Sequence, residues 1–187
     1  MNRYATLALL GLALATPLTA QTVVSEPVLD AVQVELRDEL YRMRDTLTLV
    51  ESATARIARD LKTSSDQVLR SRARSVSDRC QAAAATVGPA RTLVTERARP
   101  EPDPRKSRAQ LTTALDTLEL KLTQCTTEFA GLATPARSQE LRDYGVGRGT
   151  RVREAVRAFD VALGLYFANA LGIRYMPKAG RGTGPVP

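Results

Sequence analysis

Three alternating prolines, Pro100, Pro102 and Pro104, lie midway between the only two cysteines of the chain, Cys80 and Cys125. Proline has no backbone N–H and disfavours helix in the residue before it. A helix arriving at this stretch must stop there, and the next must start beyond it. The midpoint of positions 80 and 125 is 102.5, inside the proline stretch. If the chain folds back at this point, the two cysteines lie level, each roughly 30 Å from the turn at about 1.5 Å per residue. Ala83 and Ala84 beside Cys80 are small enough to permit the close approach that a disulfide demands. The spacing predicts a Cys80–Cys125 disulfide between two antiparallel helices.

Helical periodicity on both sides of the break supports this. Leu29, Leu36, Met43, Val50 and Ile57 recur every seven residues, with Leu40, Leu47, Thr54 and Leu61 as a second row. Leu69, Ala73, Val76, Cys80, Ala83, Val87, Ala90 and Val94 alternate steps of four and three. Leu111, Leu115, Leu118, Leu122, Cys125 and Phe129 do the same, as do Val152, Val156, Phe159, Leu163, Tyr166, Ala170 and Ile173. Such steps keep apolar side chains on one helix face, and a sustained seven-residue repeat implies packing at shallow angles. Four start signals accompany the rows: Ser25 before Glu26-Pro27, Ser64 three residues before Gln67, Asp103 before Pro104, and Thr134 before Pro135. Gly131 is a stop signal for the third helix, and Gly88-Pro89 should kink or split the second near Val87. The fold class expected is all-α: an antiparallel up-down-up-down four-helix bundle with one interhelical disulfide. A long helical hairpin, or a three-helix core with a loose C-terminus, would also fit the pattern.

Residues 1–20 have the plan of a secretory signal peptide. Arg3 precedes an apolar run from Ala5 to Ala15, and small residues lead to a cut between Ala20 and Gln21. Retained instead, the segment would be an N-terminal anchor. The helical domain then spans residues 21–176, and the Gly/Pro-rich residues 177–187 form a disordered tail. An exported chain with two cysteines is expected to hold them as a disulfide in the periplasm or outside the cell. The formal charge is +7, and only four of the 27 basic residues are lysine. A solvated surface accounts for this excess, and attraction to a membrane surface or an anionic polymer is the sharper alternative.

The chemistry that is missing narrows the function. The chain has no histidine and no tryptophan. Without histidine there is no haem attachment motif, no Glu-x-x-His di-iron motif and no His-based triad. The carboxylates, such as Asp38-Glu39, Glu51 and Asp60, fall outside the apolar rows, among arginines. They read as helix-surface ion pairs, Asp38 with Arg42 and Arg56 with Asp60, rather than as catalytic groups. No metal, cofactor, specific nucleic acid or enzymatic activity is expected. The stretch Tyr144 to Arg153, YGVGRGTRVR, carries no nucleotide fingerprint. Arg148, Arg151 and Arg153 near a helix start make it a candidate anion site, against the plainer reading of a flexible break before the last helix.

The last helix carries the clearest functional signal. Ala158, Val161, Leu165, Ala168 and Gly172 form a second apolar row roughly opposite the first, which Phe167 and Leu171 widen. A bundle helix buries one side only, so a surplus apolar face should meet another copy, a partner, a membrane or the chain's own N-terminus. The plainer reading is that this helix is simply the most central one, since Ala and Gly need little cover. Val161, Leu165, Phe167, Ala168 and Gly172 are the candidate partner interface, with a protein partner or a second copy as occupant. In size, address and helicity alone the chain resembles the small periplasmic helical chaperones of envelope stress. Their repeated Leu-Thr-x-x-Gln signature is absent: Leu47-Thr48 is followed by Leu49-Val50-Glu51, and Leu122-Thr123 by Gln124-Cys125-Thr126. The function expected is that of an exported, non-enzymatic interaction protein, such as an accessory subunit on the outer face of a membrane complex. A periplasmic binder of anionic polymer or lipid is the alternative.

Overall fold

A computed structural model of the chain describes residues 28–96, 105–143 and 149–175. Among these residues the chain is all-helical. It contains α1 (Ala31–Asp60), α2 (Asp66–Glu96), α3 (Arg105–Leu132), α4 (Ser138–Asp143) and α5 (Gly149–Tyr166). A 3-10 turn, Pro135–Arg137, precedes α4, and a π-helical turn, Phe167–Leu171, extends α5. The signal segment, the proline stretch, Arg148 and the tail from 177 lie outside the described residues.

The periodic rows meet in a single core. All eight α2 positions from Leu69 to Val94 and all six α3 positions from Leu111 to Phe129 are buried. From α1 come Leu36, Leu40, Met43, Leu47, Val50, Thr54 and Ile57, and from α5 Val152, Val156, Phe159, Leu163 and Tyr166. The most extensive helix contact is α2 with α3, followed by α1 with α2 and α3 with α5. Cys80 and Cys125 form the expected disulfide in the α2–α3 contact, with Cα atoms 6.0 Å apart and S–S 2.11 Å. Beside it the Ser77 hydroxyl donates to the Thr126 carbonyl at 2.9 Å, and nearer the break Arg91 pairs with Asp116 at 2.8 Å and with Glu119. Partners descend α3 as α2 ascends, so the two helices run antiparallel.

Helix boundaries depart from the expected signals in instructive ways. α1 starts at Ala31, not after Ser25. Asp30 accepts from the Gln33 N–H at 2.9 Å, and the Gln33 side chain accepts from the Asp30 N–H at 3.0 Å, a reciprocal capping box. α2 starts at Asp66, one residue later than a cap at Ser64 implies; the Ser65 carbonyl receives its first helical bond. Thr134 does not cap through its hydroxyl, which donates back to the Gly131 carbonyl at 2.9 Å. The segment after Thr134 and the last helix are separate, as the plainer reading of the glycine-rich stretch expects: α4 ends at Asp143 and α5 begins at Gly149, and residues 144–148 lie outside the described residues.

Gly88-Pro89 does not split α2, which runs through Pro89. Two local features allow this. The clash that bars helix before proline involves the preceding Cβ, and Gly88 has none. The helical bond lost at Pro89 leaves the Ala85 carbonyl on the exposed side of α2, where water can replace it.

The expected short-range ion pairs are also rearranged. Asp38 pairs with neighbouring Arg37, Arg42 with Glu39, and Asp60 reaches across to Arg72 of α2. α4 contributes one residue of consequence. The Arg142 guanidinium donates to the Leu61 and Ser64 carbonyls at 3.1 and 3.2 Å, and its Nε donates to Asp66 at 2.8 Å. It thus places positive charge at the carbonyl end of α1 and closes the α1–α2 turn.

Candidate interaction surface

α5 is amphipathic twice over. Its inner face, Val152, Val156, Phe159, Leu163 and Tyr166, is buried against the core. Steps of three and four along the other side give Ala158, Val161, Leu165, Ala168 and Gly172, and all five are exposed. Val161 is 66% exposed and Leu165 45%. These two side chains are large, apolar and adjacent on one face.

Phe167 does not belong to that face. It is fully buried, edge-on to Tyr41 of α1 and to Tyr175, with ring centroids 5.4 Å away in each case. Gly172 explains the burial. Its φ of 64° lies in the left-handed region, where glycine alone carries no penalty. The chain reverses there, the Ile173 N–H bonds to the Phe167 carbonyl at 3.2 Å, and Tyr175 folds back over α5. Gly172 is exposed, but its first role is to make this turn.

The fold-back closes a polar cluster that the sequence reading missed. Arg44 of α1 pairs with Asp160 of α5 at 2.6 Å and with Glu51 at 3.1 Å, and its side chain is only 12% exposed. The Tyr175 hydroxyl donates to Asp160 at 2.9 Å, and the Tyr175 ring stacks on Tyr41. Asp160 therefore faces inward, and the outer row of α5 keeps no carboxylate beyond Glu154. A polar residue breaking an apolar helix at Asp160, followed by a helix-ending glycine and an aromatic, was the available signal.

Burial and the neighbouring Asp160 carboxylate hold the Tyr175 phenol above its ordinary range, outweighing the opposite pull of Arg44. A raised folded value means that stability is fully present below the unfolded value of about 10 and is lost as pH rises beyond it. Tyr175→Phe is expected to cost about 1.5–3 kcal/mol at pH 8, as for a hydrogen bond to a charged group. The deficit relative to wild type should shrink between pH 9 and 11. Paired denaturant titrations at those values check this, and a deficit that is constant or grows with pH would contradict it.

Of the candidate anion site, Arg148 lies outside the described residues. Arg151 and Arg153 are both exposed in the first two turns of α5. Two residues apart on a helix, they point about 160° apart. Elsewhere Arg37, Arg42, Arg44, Arg72, Arg91, Arg137 and Arg142 are held by carboxylates of the chain itself. An open depression of about 320 Å³ between α2 and the end of α3 is lined by Arg74, Ser77, Asp78, Ala130 and Thr134, with Asp78 its one carboxylate. Among the described residues no group of three or more metal-ligating side chains comes together, and no helix is long and apolar enough to cross a membrane.

No known protein family, curated protein or solved structure matches the chain. The Cys80–Cys125 pair accords with an oxidising, exported setting, where such bonds persist.

Proposed function

We propose that the chain is an exported, non-enzymatic interaction protein: a disulfide-stapled, up-down-up-down four-helix bundle that docks on another protein chain through the outer face of α5. The observation that carries this reading is the outward row Ala158, Val161, Leu165, Ala168 and Gly172, exposed along a helix whose inner face is already in the core. Helices of a bundle keep polar groups on their solvent side, and Val161 and Leu165 depart from that rule next to each other. The antiparallel α2–α3 pair and the contacts of α5 with both α3 and α1 support the bundle arrangement.

Two measurements test the proposal. The intact mass of the native chain, taken without reductant, should correspond to a start at Gln21, lighter by the hydrogens lost in closing the disulfide. A mass retaining Met1 with free thiols would reject export. For docking, a photo-crosslinking residue at position 165 should capture a protein chain in the native envelope or secreted fraction, and one at exposed Gln81 on α2 should not. Equal labelling at both positions would remove α5 as the docking face.

A further inference from the structure

Tyr175 sits in a slot shaped to its side chain. On α5, Asp160, Gly164 and Phe167 follow at steps of four and three, and on α1 Tyr41 and Arg44 are three apart, so each helix turns one stripe toward the α1–α5 seam. α1 and α5 touch less extensively than the pairs α1–α2, α2–α3 and α3–α5, and the Tyr175 ring lies across their seam. A Cβ added at Gly164 would stand 3.6 Å from that ring, so the ring covers α5 where the helix carries no side chain. Tyr41 stacks on it, with ring centroids 5.8 Å apart and planes at 29°, and Phe167 meets it edge-on. At the far end the Asp160 carboxylate accepts the phenol hydroxyl at 2.9 Å, and Arg44 holds that carboxylate at 2.6 Å. We propose that this slot is a tyrosine-binding site. Tyr175 is its internal ligand, and a tyrosine side chain of another polypeptide takes the same place when the strap Gly172–Tyr175 lifts.

The slot recognises a ring and a hydroxyl, not a stretch of backbone. Among the described residues the backbone of the strap bonds to the body through the Gly172 and Ile173 N–H groups, both to the Phe167 carbonyl, and Ile173 is its last buried residue. Arg174 is exposed and Tyr175 half-buried. Tyr175 therefore reaches the slot two residues past the last anchor, through its side chain alone. Any tyrosine that presents the same ring and hydroxyl meets the same Tyr41, Phe167 and Asp160. Phenylalanine would leave Asp160 without the phenol donor, and hydrogen bonds to a charged group are the strong ones, so the slot selects tyrosine over phenylalanine. The internal ligand competes at the high effective concentration of a short tether. Affinity for an outside tyrosine is then reduced by the fraction of molecules in which the strap is lifted. The strap is thus an autoinhibitory contact, on the α1 side of α5 and separate from its outer row.

The test titrates N-acetyl-tyrosinamide and N-acetyl-phenylalaninamide into the full chain and into Tyr175→Ala, reading affinity by titration calorimetry and the thermal midpoint alongside. A ligand that binds only the folded chain raises that midpoint. In Tyr175→Ala the tyrosine amide, at about ten times its Kd, should raise it by about 3–6 °C. The phenylalanine amide should bind this variant at least about 10-fold more weakly, for want of the bond to Asp160. Wild type should bind the tyrosine amide at least about 10-fold more weakly than Tyr175→Ala does, because its slot is filled. Gly172→Ala strains the reversal at φ 64° while leaving every slot side chain in place. It should also bind more tightly than wild type, and it carries the test if Tyr175→Ala does not fold. Equal affinity of Tyr175→Ala for the two amides would overturn recognition through Asp160. Equal affinity of wild type and Tyr175→Ala for the tyrosine amide would overturn Tyr175 as the competing occupant. Absence of binding by both variants would overturn the slot as a ligand site.

Discussion

Replacing Cys80 and Cys125 together by alanine is expected to lower folding stability by about 4 kcal/mol, the value that chain entropy gives for a loop of this length. The residues are 45 apart in sequence, and the loop they close contains the whole α2–α3 turn. Without the bond the unfolded chain gains the freedom of that loop. The folded state keeps almost all its other α2–α3 contacts, because the flanking rows from Leu69 to Val94 and Leu111 to Phe129 are buried independently of it. The double variant should therefore still fold as helices. Its thermal midpoint should fall by about 8–16 °C, from the 2–4 °C per kcal/mol usual for a domain of this size. Both cysteines are buried, so exchange with a thiol reductant requires the α2–α3 contact to open first. Native protein should resist reductant that acts rapidly once denaturant is added. Calorimetry and denaturant titration of the double variant give the comparison. A loss below about 1 kcal/mol would mean that the unfolded chain is already held near this geometry.

The features legible in the sequence are those that depend on one helix at a time, or on one distance along the chain. Each apolar row is a property of its own segment, and the rows of α1, α2, α3 and α5 lie in the core as their spacing requires. The disulfide was legible because proline fixes where the chain turns and the two cysteines are equidistant from that turn. The outer row of α5 was visible for the same reason, as a second periodicity on one helix. What the sequence hid depends on how separate segments meet. The cap of α1 passed unnoticed because Ser25 resembles a cap as well as Asp30 does, and only the helix start distinguishes them. That α2 runs unsplit through Pro89 was hidden, because the relief given by Gly88 and by solvent at Ala85 depends on which way that turn faces. The Arg44–Asp160–Tyr175 cluster joins residues from α1, α5 and the chain beyond the Gly172 reversal. No spacing rule connects position 44 with position 175.

Phe167 and Leu165 turn this distinction into an experiment, because the sequence assigns both to a partner interface and the structure separates them. Phe167→Ala should destabilise the chain by about 3–5 kcal/mol, the range for removing a fully buried phenylalanine ring. The ring is held edge-on by Tyr41 and Tyr175, so its loss also loosens the lid over Asp160 and Arg44. Leu165→Ala, by contrast, removes a side chain already 45% exposed and should cost under about 1 kcal/mol. Docking through the outer face of α5 should show the opposite order. Leu165→Ala removes the largest side chain of that face and should weaken docking, while Leu165 itself stays in place in Phe167→Ala. Under conditions where Phe167→Ala remains folded, its docking should be close to wild type. Denaturant titrations, and chemical crosslinking of the same two variants in the native envelope or secreted fraction, decide the matter. A large stability loss from Leu165→Ala would place the outer row in the core. A near-neutral Phe167→Ala would show that Tyr175 does not close over α5 in solution, and the Gly172 reversal would then have to be redrawn.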